Sequence, residues 1–558
     1  MVEKEITIEI KNPEIILLLA LLGVVLIGFP PFVDIFYTLP DFLNWLRIPG
    51  ELSVTFNNPI VFGDEGFHAR MGQWIAENVE YPVWIYFSQT KLNYYNFGRV
   101  PYWNLLIAGF LYLFGPHEAF IRFLPPFITF LTGLAVFLLG RELYNRKVGF
   151  IASIITITIP SFVTYSALIY TDVLVTFFLT MFFLLFTLSI KRGKKIYLYL
   201  SGIFGAFAFL TKTSGFAAYI FIFLVFIYEL IEKRKIYEPF KKYFILFLIL
   251  IIIPSTFFLR SYFYYKTPIC AFPFIDRFFD TSGCSIKNYE KKYEFAGRTE
   301  EVGTEQSVYR MGIMNYLIFA YGNVWFVFFA SISGLFLFLY RKDKFDIFVL
   351  FMLLIFLILF INQAPGRAED TARYTLVWAP FIGLVAAKWF EEVYNFIKRY
   401  QKYLALVVFI FIIVLSYQNL KGKLDVMASV KQFSPSFFEA CDWVKENLPE
   451  DVMISTVWTS RAVYNCQRTV VGHNSEVFLS RDIDYTKEMA RKFGITHLFI
   501  QKFSLSDQSL SEKYNIESIQ FFENHPETFK KVYENGPTLQ QCLQQGGCDG
   551  NIIYEIVY

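Results

Sequence analysis

Long apolar runs separated by short charged stretches make up most of the chain. Runs such as "IILLLALLGVVLIGFPPFV" (15–33) hold roughly 15 to 20 residues, enough to cross a hydrocarbon core of about 30 Å. That first run follows an acidic leader and lacks a small-residue cleavage site, so it reads as an uncleaved anchor. Five short loops, "RELYNRK" (141–147), "KRGKK" (191–195), "EKRKIYEPFKK" (232–242), "RKDK" (341–344) and "KRYQK" (398–402), together hold 18 Lys and Arg. Under the positive-inside rule these loops face the cytoplasm.

This orientation decides how "VPYWNLLIAGFLYLFG" (100–115) is read. If it crossed the bilayer, every later helix would invert and the basic loops would lie outside. It is therefore expected to be an interfacial or re-entrant piece of one long outer loop, 37–118, followed by a helix over 119–140. Continuing the count predicts a polytopic α-helical membrane protein of about 11 spans with a cytoplasmic N-terminus. The membrane domain covers 1–417, with a second large outer loop at 259–315, and residues 418–558 form a separate region outside. There "SPSFFEACDWVKENLPED" reads as a helix leading into the strand "VMISTVW", "DYTKEMARKFGITHLFIQ" repeats that order, and "NIIYEIVY" is a closing strand. The pattern predicts a small extracytoplasmic α/β domain, for which acceptor recognition or structure is favoured over catalysis.

Composition agrees with a membrane protein. Of 558 residues 55% are hydrophobic and 20% aromatic, and the mean hydropathy of +0.42 is too high for a soluble enzyme. A net charge of +3 gives no reason to expect nucleic acid as a partner, and no internal repeat is visible. All six cysteines, Cys270, Cys284, Cys441, Cys466, Cys542 and Cys548, fall in segments assigned to the outside, where disulfides persist. Sequence alone allows fifteen pairings, or unpaired thiols, and local pairing (270 with 284, 441 with 466, 542 with 548) is the expectation.

Ionisable residues near the spans carry the candidate chemistry, because such a group at mid-bilayer costs about 2.5–3.5 kcal/mol on insertion scales. Asp172 opens one span, Lys212 sits at a turn between two apolar runs, Arg260 ends another span, and Arg373 with Tyr374 opens a late one. All are assigned to the outer face. Each cation alone could be a snorkelling anchor, but several on one face together with carboxylates suggest a shared site. The stretch "NPIVFGDEGFHARMGQWIAENV" adds Asp64 and Glu65 at the mouth of an amphipathic helix whose stripe is Phe67, Met71, Trp74, Ile75 and Val79. Asp64 could simply cap that helix, but a cap leaves Glu65 unexplained and gives no reason for the helix to press against a membrane. His68, four residues after Asp64, shares its face, a two-ligand coincidence that leaves a divalent metal open without establishing one.

"GDEGFHARMGQWIAE" resembles the first-loop acidic motif of the C-superfamily membrane glycosyltransferases, in the branch of protein O-mannosyltransferases and lipid A aminoarabinose transferases. The resemblance continues in order through "PYWNLLIAGFLYLFGPHEAFIRFLPPF" with Arg122, "IYTDVLVTFF", "GAFAFLTKTSGF" and "ARYTLVWAPF", covering about residues 14–417. The chain departs from related sequences at "NFGRVPYW", where Arg99 stands in for a Lys and an acidic metal ligand is missing. The Trp-Trp-Asp-Tyr-Gly motif of oligosaccharyltransferases is absent, which disfavours transfer of a whole glycan to asparagine. The resemblance implies transfer of one sugar, a hexose such as mannose, from a polyprenyl- or dolichyl-phosphate donor in the membrane lipid to a hydroxyl on a protein, glycan or lipid acceptor. It makes Asp64 the general base, with Glu65, which orients the acceptor, and Asp172 as further catalytic carboxylates. Arg99, Lys212, Arg260, Arg373 and Tyr374 then serve the donor phosphate, with His68 and Arg122 in support. A transporter or flippase is the alternative class; it would place its charges near mid-membrane on broken helices, commonly with inverted repeats.

Overall fold

The computed structural model describes residues 63–81, 100–115, 118–166, 168–234, 237–265, 325–341, 343–361, 373, 375–400, 435–456, 459–471, 482–502, 518–544 and 548–558. The chain first forms α1 (Gly63–Asn78) and α2 (Tyr102–Phe114). A bundle follows, built from α3 (Glu118–Leu143), α4 (Arg146–Thr158), α5 (Pro160–Ser166), α6 (Thr171–Arg192), α7 (Lys195–Thr211), α8 (Ala217–Lys233) and α9 (Tyr237–Tyr265). Later come α10 (Trp325–Arg341), α11 (Lys344–Ile361) and α12 (Ala379–Tyr400). Among the described residues, Phe120–Leu143, Thr171–Arg192, Thr213–Lys233 and Tyr237–Arg260 are long and apolar enough to cross a membrane. The apolar runs 15–33 and 403–417, which open and close the count of about 11 spans, lie outside the described residues. The 13 residues of α2 reach only about 20 Å at 1.5 Å per residue, too short to span alone.

Helix α6 is the axis of the bundle. It packs against α3 and α7, and Phe182, Phe183 and Phe186 meet Phe221 of α8 edge-on, with Phe381 of α12 against Phe183 and Phe348 of α11 against Phe186. In a bilayer such contacts act through dispersion, since lipid tails are as apolar as the side chains. The C-terminal end of α6 lies among the basic loops, which are knitted together by half-buried Glu142 and by buried Glu229 and Asp346. Glu142 accepts from Arg192 at 2.9 Å. Glu229 accepts from Lys242 at 2.7 Å, from the Tyr243 hydroxyl at 2.8 Å and from Lys344 at 3.4 Å. Asp346 accepts from the Tyr144 hydroxyl at 2.8 Å and pairs with Arg341 at 3.3 Å. Four of the five basic loops therefore meet at one end of the bundle, and the N-terminal end of α6, with Asp172, lies about 33 Å away along its axis.

The C-terminal part contains α13 (Pro435–Asn447), β1 (Met453–Ser455), α14 (Thr459–Asn465), β2 (Thr469–Val471), α15 (Ile483–Phe493), β3 (His497–Gln501), β4 (Phe529–Asn535), α16 (Leu539–Gln544) and β5 (Asn551–Ile556). The sheet order is β2-β1-β3-β5-β4. β1 runs parallel to β2 and β3, and β5 runs antiparallel to β3 and β4, pairing Phe499 with Ile553 and Ile553 with Tyr533. Both helix-to-strand units read from the pattern are present, and Asp482 caps α15 by accepting from the N–H groups of Asp484 and Tyr485. Disulfides join Cys441 to Cys466 and Cys542 to Cys548, while Cys270 and Cys284 lie outside the described residues.

Lys502, fully buried, locks the ends of β3 and β4 together. Its ammonium donates to the carbonyls of Asn535 at 2.9 Å and Pro537 at 2.7 Å and pairs with Glu534 at 2.6 Å. Burial pushes the Glu534 carboxyl up, but hydrogen bonds from Lys502 and Lys531 outweigh it and hold the group below its ordinary value. A depressed carboxyl contributes stability above its unfolded pKa of about 4.3 and loses it as pH falls through the folded value. Near-UV circular dichroism of the full chain titrated from pH 7 to pH 3 should show the C-terminal sheet loosening below about pH 4.3, and Glu534→Gln should flatten that dependence.

Candidate active site

Among the described residues, the N-terminal end of α6 carries a largely buried ion cluster on the side away from the basic loops. Asp172 lies in the first turn of α6 and is 2% exposed. Its Oδ1 accepts from the Lys212 ammonium, and its Oδ2 accepts from Nε of Arg373 at 3.0 Å. The Arg373 guanidinium also lies over the ring of Tyr170, 4.5 Å from its centroid. Side-chain exposures of 16% for Lys212 and 13% for Arg373 mean that both cations are held largely away from water, where their field is screened least. Two cations at a helix N-terminus oppose the positive end of the macrodipole, and the Asp172 carboxylate offsets both.

Local backbone sets up each partner. Helix α7 ends at Thr211, and Lys212 turns to extended geometry (φ −158°, ψ 150°) before the 3₁₀ turn Thr213–Phe216. That turn folds onto the end of α7 so closely that a Cβ on Gly215 would sit 2.2 Å from the Ala208 carbonyl, so only glycine fits. Arg373 comes just before a second 3₁₀ turn, Thr375–Trp378, which packs on α6 and leads into α12. Lys212 therefore enters at a break between two helices, where the backbone changes direction, whereas Arg373 is helical and stands two residues before its 3₁₀ turn.

The acidic helix docks beside this cluster. In α1, Glu65 is 1% exposed and its Oε1 accepts the backbone N–H of Ile169 at 2.9 Å, three residues before Asp172. One turn on, Nδ1 of buried His68 donates to Oδ1 of Asn104 in α2 at 2.7 Å, a pairing that sets the ring tautomer. A Cβ on Gly72 would lie 2.2 Å from Cγ2 of Ile107, so α1 and α2 meet backbone to side chain. Asp64 occupies the first turn of α1, and its side chain lies outside the described residues. Protein covers much of the stripe: Phe67 and Met71 are buried in the C-terminal unit, Ile75 is buried, Trp74 half-buried, and Val79 79% exposed just past the helix end.

Sequence reasoning thus named Asp172, Lys212 and Arg373, which the structure brings into direct contact, and Glu65, which reaches their neighbouring backbone. Arg260, near the end of α9, stacks over Tyr81 at 4.9 Å, and half-buried Arg122 lies near the start of α3. Arg99 and Tyr374 lie outside the described residues. Reasoning from pattern missed Tyr170, although its ring directly precedes the "TD" pair, and Asn104, whose position inside an apolar helix was the available signal. Among the described residues no group of three or more His, Cys, Asp or Glu side chains comes together as a metal site, and Asp172 is already engaged by two cations.

This fold, a helical membrane-type bundle joined to a small α/β unit, is similar to that of several solved structures. Residues 99–258 match the family described as dolichyl-phosphate-mannose-protein mannosyltransferase. The chain superposes on archaeal oligosaccharyltransferase AglB from Archaeoglobus fulgidus, solved with an inhibitory peptide and a dolichol-phosphate, with a TM-score of 0.67 at 13% identity over 95% of this chain and 80% of that one. ArnT from Cupriavidus metallidurans bound to undecaprenyl phosphate gives 0.60 at 11% identity, covering 97% and 98% of the two chains. Arabinofuranosyltransferase AftD from Mycobacteria gives 0.52 at 11% identity, over 97% of this chain and 40% of that one. No curated protein matches in sequence.

Removing one member of a buried ion cluster leaves a charge uncompensated, at a cost of about 3–5 kcal/mol. Asp172→Ala should therefore lower the thermal midpoint in detergent sharply, and Asp172→Ala with Lys212→Met, which removes one charge of each sign, should recover part of the loss. Strictly additive losses in this double-mutant cycle would contradict the coupling.

Proposed function

We propose that the chain is an integral-membrane glycosyltransferase that moves a single sugar, a hexose such as mannose, from a polyprenyl- or dolichyl-phosphate to an acceptor hydroxyl on the extracytoplasmic face. The observation that carries this reading is the buried Asp172–Lys212–Arg373 cluster, tied to the acidic helix through the Glu65–Ile169 hydrogen bond. In this reading the N-terminus and the basic loops are cytoplasmic, about 11 spans form residues 1–417, and residues 418–558 sit outside. A lipid donor keeps its tail in the bilayer, so its phosphate must meet its counter-charge at the membrane boundary. The end of α6 opposite the basic loops offers that charge.

The reaction needs a proton taken from one partner and negative charge stabilised on the other. Asp64 accepts the proton of the acceptor hydroxyl as its oxygen forms a bond to the anomeric carbon. The carbon–oxygen bond to phosphate breaks, and the electron pair leaves with the lipid phosphate. Lys212 and Arg373 stabilise that growing charge where little water competes, with Arg99, Arg260 and Tyr374 completing the phosphate side and Arg122 and His68 supporting the walls. Both carboxylate oxygens of Asp172 are engaged by cations, which suits it to holding Lys212 and Arg373 in place rather than to moving a proton. Glu65, bound to a backbone N–H, sets the height of α1 and orients the acceptor beside it. The acceptor is a protein, glycan or lipid hydroxyl.

Purified protein incubated with a panel of polyprenyl-phosphate sugars, with released lipid phosphate followed by mass spectrometry, tests this reading. One donor should yield lipid phosphate and a glycosylated acceptor, and Asp64→Asn should reduce turnover by about 10²- to 10⁴-fold with donor binding retained. Near-wild-type turnover of Asp64→Asn would remove Asp64 from the mechanism. Movement of an intact lipid-linked sugar across vesicles, with no bond broken, would make the protein a transporter.

A further inference from the structure

Helix α1 is held from two opposite sides. On one side lie Glu65, hydrogen-bonded to Ile169, and His68, bonded to Asn104, with Ala69 in the core of the bundle and Gly72 pressed on Ile107. Roughly half a helical turn away, Phe67 and Met71, spaced i and i+4, enter the core of the C-terminal unit. There they join Phe437, Cys441, Ala462 and Cys466, and the last two cysteines named form a disulfide between α13 and the residue after α14. Helix α14 lies directly on α1, and its Tyr464 reaches the bundle core in turn. Just past α1, Tyr81 packs on the same C-terminal cluster and carries Arg260 over its ring. By contrast, Asp172 on α6 pairs with Lys212 and Arg373, which come from the bundle.

We propose that Phe67 and Met71 are positioning residues that key the acidic helix into the Cys441–Cys466 cluster, so that the C-terminal unit sets where Asp64 and Glu65 stand relative to the phosphate-binding cations. The inference rests on the transferase reading above. Its consequence is a division of labour: the bundle pair Lys212 and Arg373 supplies the main hold on the lipid phosphate, with Arg260 over Tyr81 adding to it, and docking of the C-terminal unit through Phe67 and Met71 governs turnover. A misplacement of about 1 Å in a reacting group costs on the order of 100-fold in rate, whereas a phosphate held by Lys212 and Arg373 is unaffected by the height of α1.

The test uses the full-length protein in nanodiscs. Phe67→Ala, Met71→Ala and the double variant Cys441→Ser/Cys466→Ser are compared with the conservative Phe67→Leu and Met71→Leu. Each is assayed for turnover, for inhibition by polyprenyl phosphate and for hydrogen exchange across 63–78 and 172–211. The alanine and serine variants should lose tenfold or more in kcat, with the inhibition constant for polyprenyl phosphate within about twofold of wild type, and the leucine variants should regain most of the rate. Exchange should rise in 63–78 and stay unchanged in 172–211. Unchanged kcat, unchanged exchange in 63–78, or a parallel loss of phosphate affinity and of protection throughout the bundle would overturn the proposal. If the wild type releases no lipid phosphate from any donor, the transferase reading fails, while the exchange pattern still decides whether Phe67 and Met71 hold α1.

Discussion

One carboxylate between two cations is the constraint around which this molecule is arranged. Asp172 lets Lys212 and Arg373 approach each other at the N-terminal end of α6, where the helix macrodipole would otherwise repel both. A buried ion cluster of this kind is weak evidence for stability, because desolvation offsets most of the Coulomb gain. It is stronger evidence for a site, since the surrounding structure has to be specified in detail: a lysine at the break after α7, an arginine before α12 and an aromatic ring under the guanidinium. With one negative and two positive side chains, the cluster keeps a net positive charge, suited to a phosphate monoanion or dianion.

The same end of the bundle is where two units meet. Helix α1 contributes its polar face to the bundle and its apolar face to the C-terminal core, so it serves as a shared layer rather than a surface helix. A transferase with one substrate in the membrane and another in water needs such a layer, because its base must be aligned with a lipid-borne leaving group while the acceptor arrives from outside. The opposite end, where Glu142, Glu229 and Asp346 gather the basic loops, has a different character: its charges pair among themselves and tie helix ends together.

Much of this was legible because membrane insertion makes charge expensive. Asp172, Lys212 and Arg373 stand out in apolar surroundings, and the basic loops mark one end of the bundle in the sequence itself. Their pairing was not legible, since Asp172 is separated from Lys212 by 40 residues and from Arg373 by 201, and headgroups could have satisfied each alone. The stripe Phe67–Met71–Ile75 is readable as amphipathic, but periodicity does not say whether lipid or protein covers it, and here the C-terminal unit covers Phe67 and Met71. In that unit the buried strands β3 and β5 announced themselves as apolar runs. The edge strand β4, "FKKVYEN", did not, because its outward lysines and glutamate mask the alternation, and β2 has only three residues. The sequence marks Glu65 as a catalytic-site carboxylate beside Asp64, and only the geometry reveals that it accepts the Ile169 N–H.

The central claim is that the phosphate of a lipid donor binds at the N-terminal end of α6. An electron cryo-microscopy reconstruction of the protein in nanodiscs with polyprenyl phosphate tests it most directly. The account predicts headgroup density within hydrogen-bonding reach of Lys212 and Arg373, about 2.7–3.2 Å from their nitrogens, with the lipid tail leaving sideways into the bilayer. Headgroup density among the basic loops around Glu229 and Asp346, with the Asp172 cluster unvisited, would contradict it.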